Sequence, residues 1–176
     1  LYRNESLQNV IVKAGENIDL IPAASGIMEL TTLTKIQKLN LLNQIDHLEN
    51  QYDLLLVDTA SGISSGVMYF NIAAEEIVVI TTPEPTAITD AYAMIKLLSS
   101  KYKEKEFKLV VNMARDEREA LKVYAGITMV ADRFLPVKID YLGFIPKDPN
   151  VTLAIRNKSP LLKKHPISAA SYHLKS

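Results

Sequence analysis

The sequence predicts an α/β protein: a mainly parallel, doubly wound sheet with helices on both faces. Three observations predict it. The strand-like runs are short, aliphatic and unalternating, as in Leu54-Leu55-Leu56-Val57, which suits strands buried on both faces. Amphipathic helical stripes lie between those runs, the order that builds βαβ units. An acid, Asp58, closes the most apolar run, at the strand end where open α/β sheets bind ligands.

Taken along the chain, Val10-Ile11-Val12 and Ile18-Asp19-Leu20-Ile21 are strands joined by Gly15-Glu16-Asn17. Leu33, Ile36, Leu39, Leu42, Ile45 and Leu48 recur at three-residue steps and predict a long amphipathic helix. The doubly buried strand Leu54 to Val57 follows, then a strand over Ile77 to Ile80. Thr81-Thr82-Pro83-Glu84-Pro85-Thr86 leads out of that strand, with two prolines making a rigid exit. The next helix, Ala87 to Leu98, has Ile88, Ala91, Tyr92, Ile95 and Leu98 as its apolar stripe. Tyr102 to Lys108 is a charged loop, and Leu109 to Val111 a strand. Leu121, Tyr124, Ala125, Thr128, Ala131 and Leu135 form a weaker helical stripe, interrupted by Gly126. Tyr141 to Ile145 is the last strand. Asp148-Pro149 and Ser159-Pro160 each place an N-cap before a proline at the first helical position.

Composition narrows the function. At 176 residues, with 48% hydrophobic and 23% charged residues, the chain is expected to be one soluble globular domain with a sizeable core. Twenty basic residues balance twenty acidic ones, so generic attraction to nucleic acid or anionic lipid is not implied, and no direct nucleic-acid contact is expected. The absence of cysteine excludes disulfides, thiolate zinc sites and Fe–S ligation. No apolar run approaches the roughly 20 residues that span a bilayer. The chain opens Leu1-Tyr2-Arg3 without a start methionine, which reads as a piece of a longer protein.

Four segments could hold chemistry. Asp58, followed by the small residues Thr59-Ala60-Ser61-Gly62, offers a metal-organising carboxylate beside a pliant backbone. Nucleoside-triphosphate hydrolases place the aspartate that organises Mg²⁺ in this way. An Asp that merely caps the next helix fits the same pattern. The phosphate loop of such enzymes, G-x-x-x-x-G-K-[ST], is not in the sequence. Thr81, Thr82, Glu84 and Asp90 come to the carboxyl edge of the sheet, or simply to a turn. Asn112, at a strand end, can give and accept hydrogen bonds at once, as the edge of an adenine ring requires, though Asn is also an ordinary turn residue. Pro146-Lys147-Asp148 could wall a base pocket or only start a helix. Met28, Met68, Met94, Met113 and Met129 read as core filler. The histidines, His47, His165 and His173, lack metal-ligand spacing.

In order along the chain stand Leu20-Ile21-Pro22-Ala23-Ala24-Ser25-Gly26, then Val57-Asp58-Thr59-Ala60-Ser61-Gly62-Ile63, then Thr82-Pro83-Glu84-Pro85-Thr86-Ala87-Ile88-Thr89-Asp90-Ala91-Tyr92. Val111-Asn112-Met113, Arg133-Phe134-Leu135 and Tyr141 to Asp148 complete the series. Together they resemble the MinD/ParA-type P-loop ATPases, and within them the flagellar-number regulators called FlhG, FleN or YlxH. The resemblance covers nearly the whole chain.

It implies a MinD-like, Rossmann-like three-layer fold, with residues 1–176 forming one ATPase domain that lacks its phosphate loop and switch I. It further implies a cytoplasmic protein, peripheral at the inner face of the membrane only through a segment not evident here. ATP or ADP and Mg²⁺ would be its ligands. An ATP-dependent homodimer would act with an FlhF-type GTPase, flagellar switch proteins and, in some relatives, a flagellar transcription activator. Asp58 matches the switch II aspartate near Mg²⁺, reached through water. Asn112 matches the adenine-reading asparagine, and Pro146, Lys147 and Asp148 the loop beside the base. Glu84 and Asp90 match a region close to the dimer face. The chain departs from the family at Ala60-Ser61, where Gly-Ala is common, and at Met113, where many members carry arginine. The competing expectation is a scaffold for flagellar assembly proteins that works without nucleotide.

Overall fold

Three parallel strands lie side by side in the order in which the chain makes them, each joined to the next by a helix. They are β3 (Val78–Thr81), β4 (Glu106–Ala114) and β5 (Lys138–Pro146). The computed structural model describes residues 7–22, 34–48 and 51–175. The chain divides into two compact units, Leu1–Val67 and Met68–Ser176. The expected Leu33, Met28 and the Ala23–Gly26 segment lie outside the described residues.

In the larger unit, α3 (Pro85–Leu97) joins β3 to β4 and α4 (Glu117–Phe134) joins β4 to β5, so two successive βαβ units build the sheet. Phe107, Leu109 and Val111 of β4 are buried with Val79 and Thr81 of β3. These alternate positions share one face, as the two-residue period of a strand requires. Ala91, Ile95 and Leu98, all expected, are the buried stripe of α3 and the π-helical turn Leu98–Tyr102 that prolongs it.

Some elements of this unit differ from what the sequence predicts. The charged stretch Tyr102–Lys108 is a loop only in part, because Glu106–Lys108 already belong to β4. Phe107 is buried there and pairs with Ile139, and that burial outweighs the polar neighbours on either side. The buried residues of α4 are Ala120, Val123, Ile127 and Ala131, while Leu121 is exposed. At about 100° per residue those four fall within one narrow sector, and Leu121 lies about a quarter-turn away. The helix is apolar through small and β-branched residues rather than through its leucine.

Asp116 caps α4 by accepting the N–H of Glu119 at 2.8 Å. Asp148 caps α5 (Pro149–Arg156), with Pro149 in its first turn, as expected. At the second expected cap the helix starts one residue later. Pro160 is the N-cap of α6 (Leu161–Lys164), and the Ser159 hydroxyl donates to the Asn157 carbonyl instead. A last helix, α7 (Ala169–His173), packs against β5, with His173 4.3 Å from the Phe144 ring centre.

The smaller unit begins with an antiparallel pair, β1 (Val12–Lys13) and β2 (Asp19–Leu20), joined through the Gly15 turn. Ala14 and Gly15 both donate to the Ile18 carbonyl and close that turn. Tyr52 donates to the Asp19 carboxylate at 2.8 Å. Helix α1 (Lys35–Asp46) buries Leu41, and Leu48 is buried just beyond its end, but Ile36 and Leu39 are exposed. Apolar residues three apart drift by about 60° at each step, so the expected stripe winds off one face. Helix α2 (Ser65–Ala73), most of which belongs to the larger unit, is not among the helical stripes the sequence predicts; at its start the Ser64 hydroxyl accepts the Val67 N–H.

Leu54 to Val57 is not the buried strand that its composition suggests. The segment has no strand partner among the described residues, and Leu54 and Leu56 are 79% and 83% exposed. Aliphatic composition favours an extended chain, but a strand exists only when a neighbour completes its hydrogen-bond ladder.

Candidate functional site

The carboxyl ends of β3, β4 and β5 open onto a groove of about 720 Å³, the site on the larger unit to which the sequence expectations point. Each strand supplies one wall through the turn that leaves it. Thr82, Pro83, Glu84 and Pro85 come from the exit of β3. Met113 comes from β4, with Arg115 and Glu119 from the start of α4. Lys147 and Pro149 come from the exit of β5. A parallel sheet brings these turns together because all its strands point the same way.

The first wall is rigid. Pro85 opens α3, and Glu84 stands at its N-cap without a side-chain capping bond, which leaves the Glu84 carboxylate free for the groove. Thr82 accepts the Glu84 N–H at 3.5 Å and holds the turn.

The second wall is a strand irregularity. Asn112 pairs with Ile145 and Ala114 with Pro146, and Met113 between them has no partner. Met113 has φ = +59°, the left-handed region. Its N–H is taken by the side-chain Oδ1 of Asn112 at 2.9 Å. One extra residue in one strand, with local backbone reversal, is a β-bulge. Next to it, Arg115 and Glu119 are paired: the Arg115 backbone N–H meets Glu119 Oε2 at 2.6 Å, and its guanidinium lies 3.6 Å from Oε1. The N–H of Glu119 holds the Asp116 carboxyl below its ordinary pKa, and Arg115 adds to the effect.

The third wall is fastened by Asp148. Its carboxylate accepts the N–H and side-chain amide of Asn150 at 2.8 and 2.9 Å, and the N–H of Ala170 at 3.0 Å. The Ala170 N–H, then that of Asn150, lowers its pKa. The Lys147 N–H donates to the Ala114 carbonyl, which ties this turn to the bulged strand.

Of the candidate residues singled out from sequence, Thr81 is buried in the sheet, while Thr82, Glu84 and Lys147 line the groove. Asn112 stands behind it and shapes it through Met113. Pro146 ends β5 and Asp148 is buried in capping, so both build the wall from behind. Asp90 is exposed on α3. Asp58 is exposed and belongs to the other unit, in an irregular segment ahead of Gly62, whose φ is +93°. Met113 was expected in the core and is instead 51% exposed at the groove. The sequence does not single out Arg115 and Glu119 as groove residues. The Asp116-x-x-Glu119 spacing, a capping-box pattern, is the signal that could have placed them at a helix start beside a strand end.

The groove is mixed in character. Three prolines and a methionine give apolar contact, while Arg115, Lys147, Glu84 and Glu119 give donors and acceptors of both signs. That combination suits a flat, polar-edged ring better than a bare anion.

Comparison with known proteins bears on the family and the fold. No family model matches the chain. It is 36% identical over 170 residues to the antiactivator FleN of Pseudomonas aeruginosa, covering 97% of this chain and 61% of that protein. It is 32% identical over 161 residues to the flagellum site-determining protein YlxH of Helicobacter pylori, covering 91% and 54%. The chain thus spans between half and two thirds of the length of these relatives. A ParA family ATPase from Chlorobium tepidum superposes with a TM-score of 0.73 at 16% identity, over 98% of this chain and 69% of that one. The cell division ATPase MinD of Pyrococcus furiosus does so with a TM-score of 0.71 at 21% identity, over 96% and 67%. Those two likenesses establish the fold.

Proposed function

Because this chain belongs to the MinD/ParA-type proteins, on the branch that includes FleN and YlxH, we propose that it is part of an ATP-binding ATPase that regulates flagellar number or placement. The observation that carries the proposal is the 36% identity with an antiactivator FleN across 97% of this chain. The groove at the carboxyl edge of the sheet supports it, since this is where the fold receives nucleotides.

In this reading residues 1–176 belong to one ATPase domain. Its phosphate-cradling loop, which the sequence here does not contain, and its switch I are assigned in this reading to another stretch of the same protein. The groove takes the base. Asn112, whose Oδ1 holds the Met113 N–H, donates its side-chain amide hydrogens to the ring edge, and Lys147 closes over it. Asp58 orders water around the metal, and Mg²⁺, when bound, neutralises charge on the triphosphate. Catalysis is then transfer of the terminal phosphoryl group to water, by positioning and electrostatics. ATP draws two copies together, with Glu84 and Asp90 near their contact. Hydrolysis times the release of flagellar partners: an FlhF-type GTPase, switch proteins or a transcription activator. The protein works in the cytoplasm. No helix among the described residues is long and apolar enough to cross a membrane.

The test compares Mg²⁺-dependent ATP hydrolysis by the whole encoded protein and by the 176-residue chain, with flagella counted in cells lacking the gene. The whole protein is expected to turn over ATP, the 176-residue chain to show only the blank rate, and the cells to change flagellar number. Wild-type flagellation together with no nucleotide binding by the whole protein would overturn the proposal.

A further inference from the structure

Three residues other than glycine have positive φ among those described: Lys103, Met113 and Lys158. Two have ordinary explanations. Lys103 ends the π-helical turn after α3, and Lys158 follows the C-cap of α5. Left-handed residues are how helices commonly stop. Met113 ends no helix. It sits inside the β4–β5 ladder, between the paired residues Asn112 and Ala114. A left-handed backbone costs free energy for any residue with a Cβ, and Asn or Asp tolerates it far better than Met.

The bulge has a consequence for the side chain. A strand residue in register would point along the pleat, to one face of the sheet. Met113 is taken out of register, and its side chain lines the groove together with Pro83, Pro85 and Pro149. The Asn112 side chain holds the reversal by accepting the Met113 N–H. An apolar, polarisable side chain is therefore kept half exposed, at a conformational cost, on the wall of an otherwise mixed groove.

We propose that Met113 is a specificity-determining contact that packs its thioether on the flat face of a purine base, with Asn112 as its positioning residue. The assignment rests on the nucleotide reading above. It goes beyond that reading by naming the group that separates binding of the base from binding of the phosphates. Sulfur against an aromatic ring is a favourable contact, and methionine adapts to the ring edge as well as to its face. Thr82 and Lys147 are then free to serve the polar rim.

The experiment uses the whole encoded protein with Mg²⁺ and two probes: a fluorescent methylanthraniloyl-ATP, and inorganic tripolyphosphate as a competitor without a base. Met113→Ala is expected to weaken the fluorescent nucleotide by roughly three- to tenfold. It should leave competition by tripolyphosphate unchanged. Met113→Leu, which keeps apolar bulk, should restore most of the affinity. Met113→Asn, which suits the left-handed backbone, should match the alanine loss while keeping the wild-type melting temperature or raising it. Equal nucleotide affinity in wild type and Met113→Ala overturns the inference. So does a parallel loss for both probes, which would mark Met113 as merely structural. A wild-type protein that binds neither probe overturns the nucleotide reading itself, a result distinct from the other two.

Discussion

The side-chain Oδ1 of Asn112 accepts the backbone N–H of Met113 at 2.9 Å, a bond between sequence neighbours inside a strand. It satisfies a donor that the β-bulge has removed from the β5 ladder. Asn112→Ala should therefore cost about 1 kcal/mol, the ordinary worth of such a bond. The melting temperature should fall by about 2–4 °C. Asn112→Asp keeps the acceptor and should retain most of the stability. Identical melts for wild type and the alanine variant would show that the bulge stands without the side chain.

Asp148 joins three donors from two helices. Asp148→Ala leaves the first turn of α5 uncapped and the Ala170 N–H without its acceptor. A loss of about 2 kcal/mol is expected from the cap and the charged hydrogen bond together. Limited proteolysis should then cut near α7 first, since Ala170 anchors that helix to the rest of its unit.

The same carboxylate sets a pH dependence. Its pKa is lowered in the folded protein, so the unfolded chain binds the proton more readily. The stabilisation is complete above the ordinary aspartate value of 3.8 and is lost as the pH falls through the lower, folded value. Denaturant melts taken between pH 5 and the acid limit should steepen below about pH 4 in the wild type. Asp148→Asn should be less stable at pH 5 and should flatten that decline.

Asp58 is exposed and makes no cap or ion pair among the described residues. Asp58→Ala should change stability by no more than about 0.5 kcal/mol. In the whole encoded protein it should nonetheless reduce Mg²⁺-dependent turnover by about a hundredfold or more, since metal positioning dominates phosphoryl transfer. A steady-state assay at saturating Mg²⁺ checks it. Wild-type turnover in the variant would remove Asp58 from the mechanism.

Leu54 and Leu56 leave an aliphatic stretch open to solvent. Such a stretch invites pairing with another chain. The 176-residue chain should elute as dimers or larger species at micromolar concentration. Leu54→Thr combined with Leu56→Thr should shift it toward the monomer in size-exclusion chromatography with light scattering. A clean wild-type monomer with a cooperative melt would contradict this.

Much of the fold was legible locally. Ile77–Ile80 and Tyr141–Ile145 announced β3 and β5 through aliphatic composition, and Asp148-Pro149 announced α5 through cap chemistry. The groove was half legible. Glu84, Asn112 and Lys147 stand at strand ends that hydrophobic runs reveal, and strand ends of a parallel sheet converge. Met113 was not, because an apolar residue after a strand reads as core unless the register is known. The bulge between Asn112 and Ala114 is a property of the β4–β5 pairing, and no single strand contains it.

The succession of strand and helix from Ile77 to Ile145, the Asp148 cap and the resemblance to the MinD/ParA proteins follow from the sequence by itself, because periodicity, capping and motifs depend on neighbours a few residues apart. Tertiary structure alone decided which apolar residues are buried: Phe107 within a charged stretch, Val123 rather than Leu121, and neither Leu54 nor Leu56. Burial depends on what packs against a side chain, and a ladder needs a second strand. Those partners are distant in sequence, so composition names the candidates and contact selects among them.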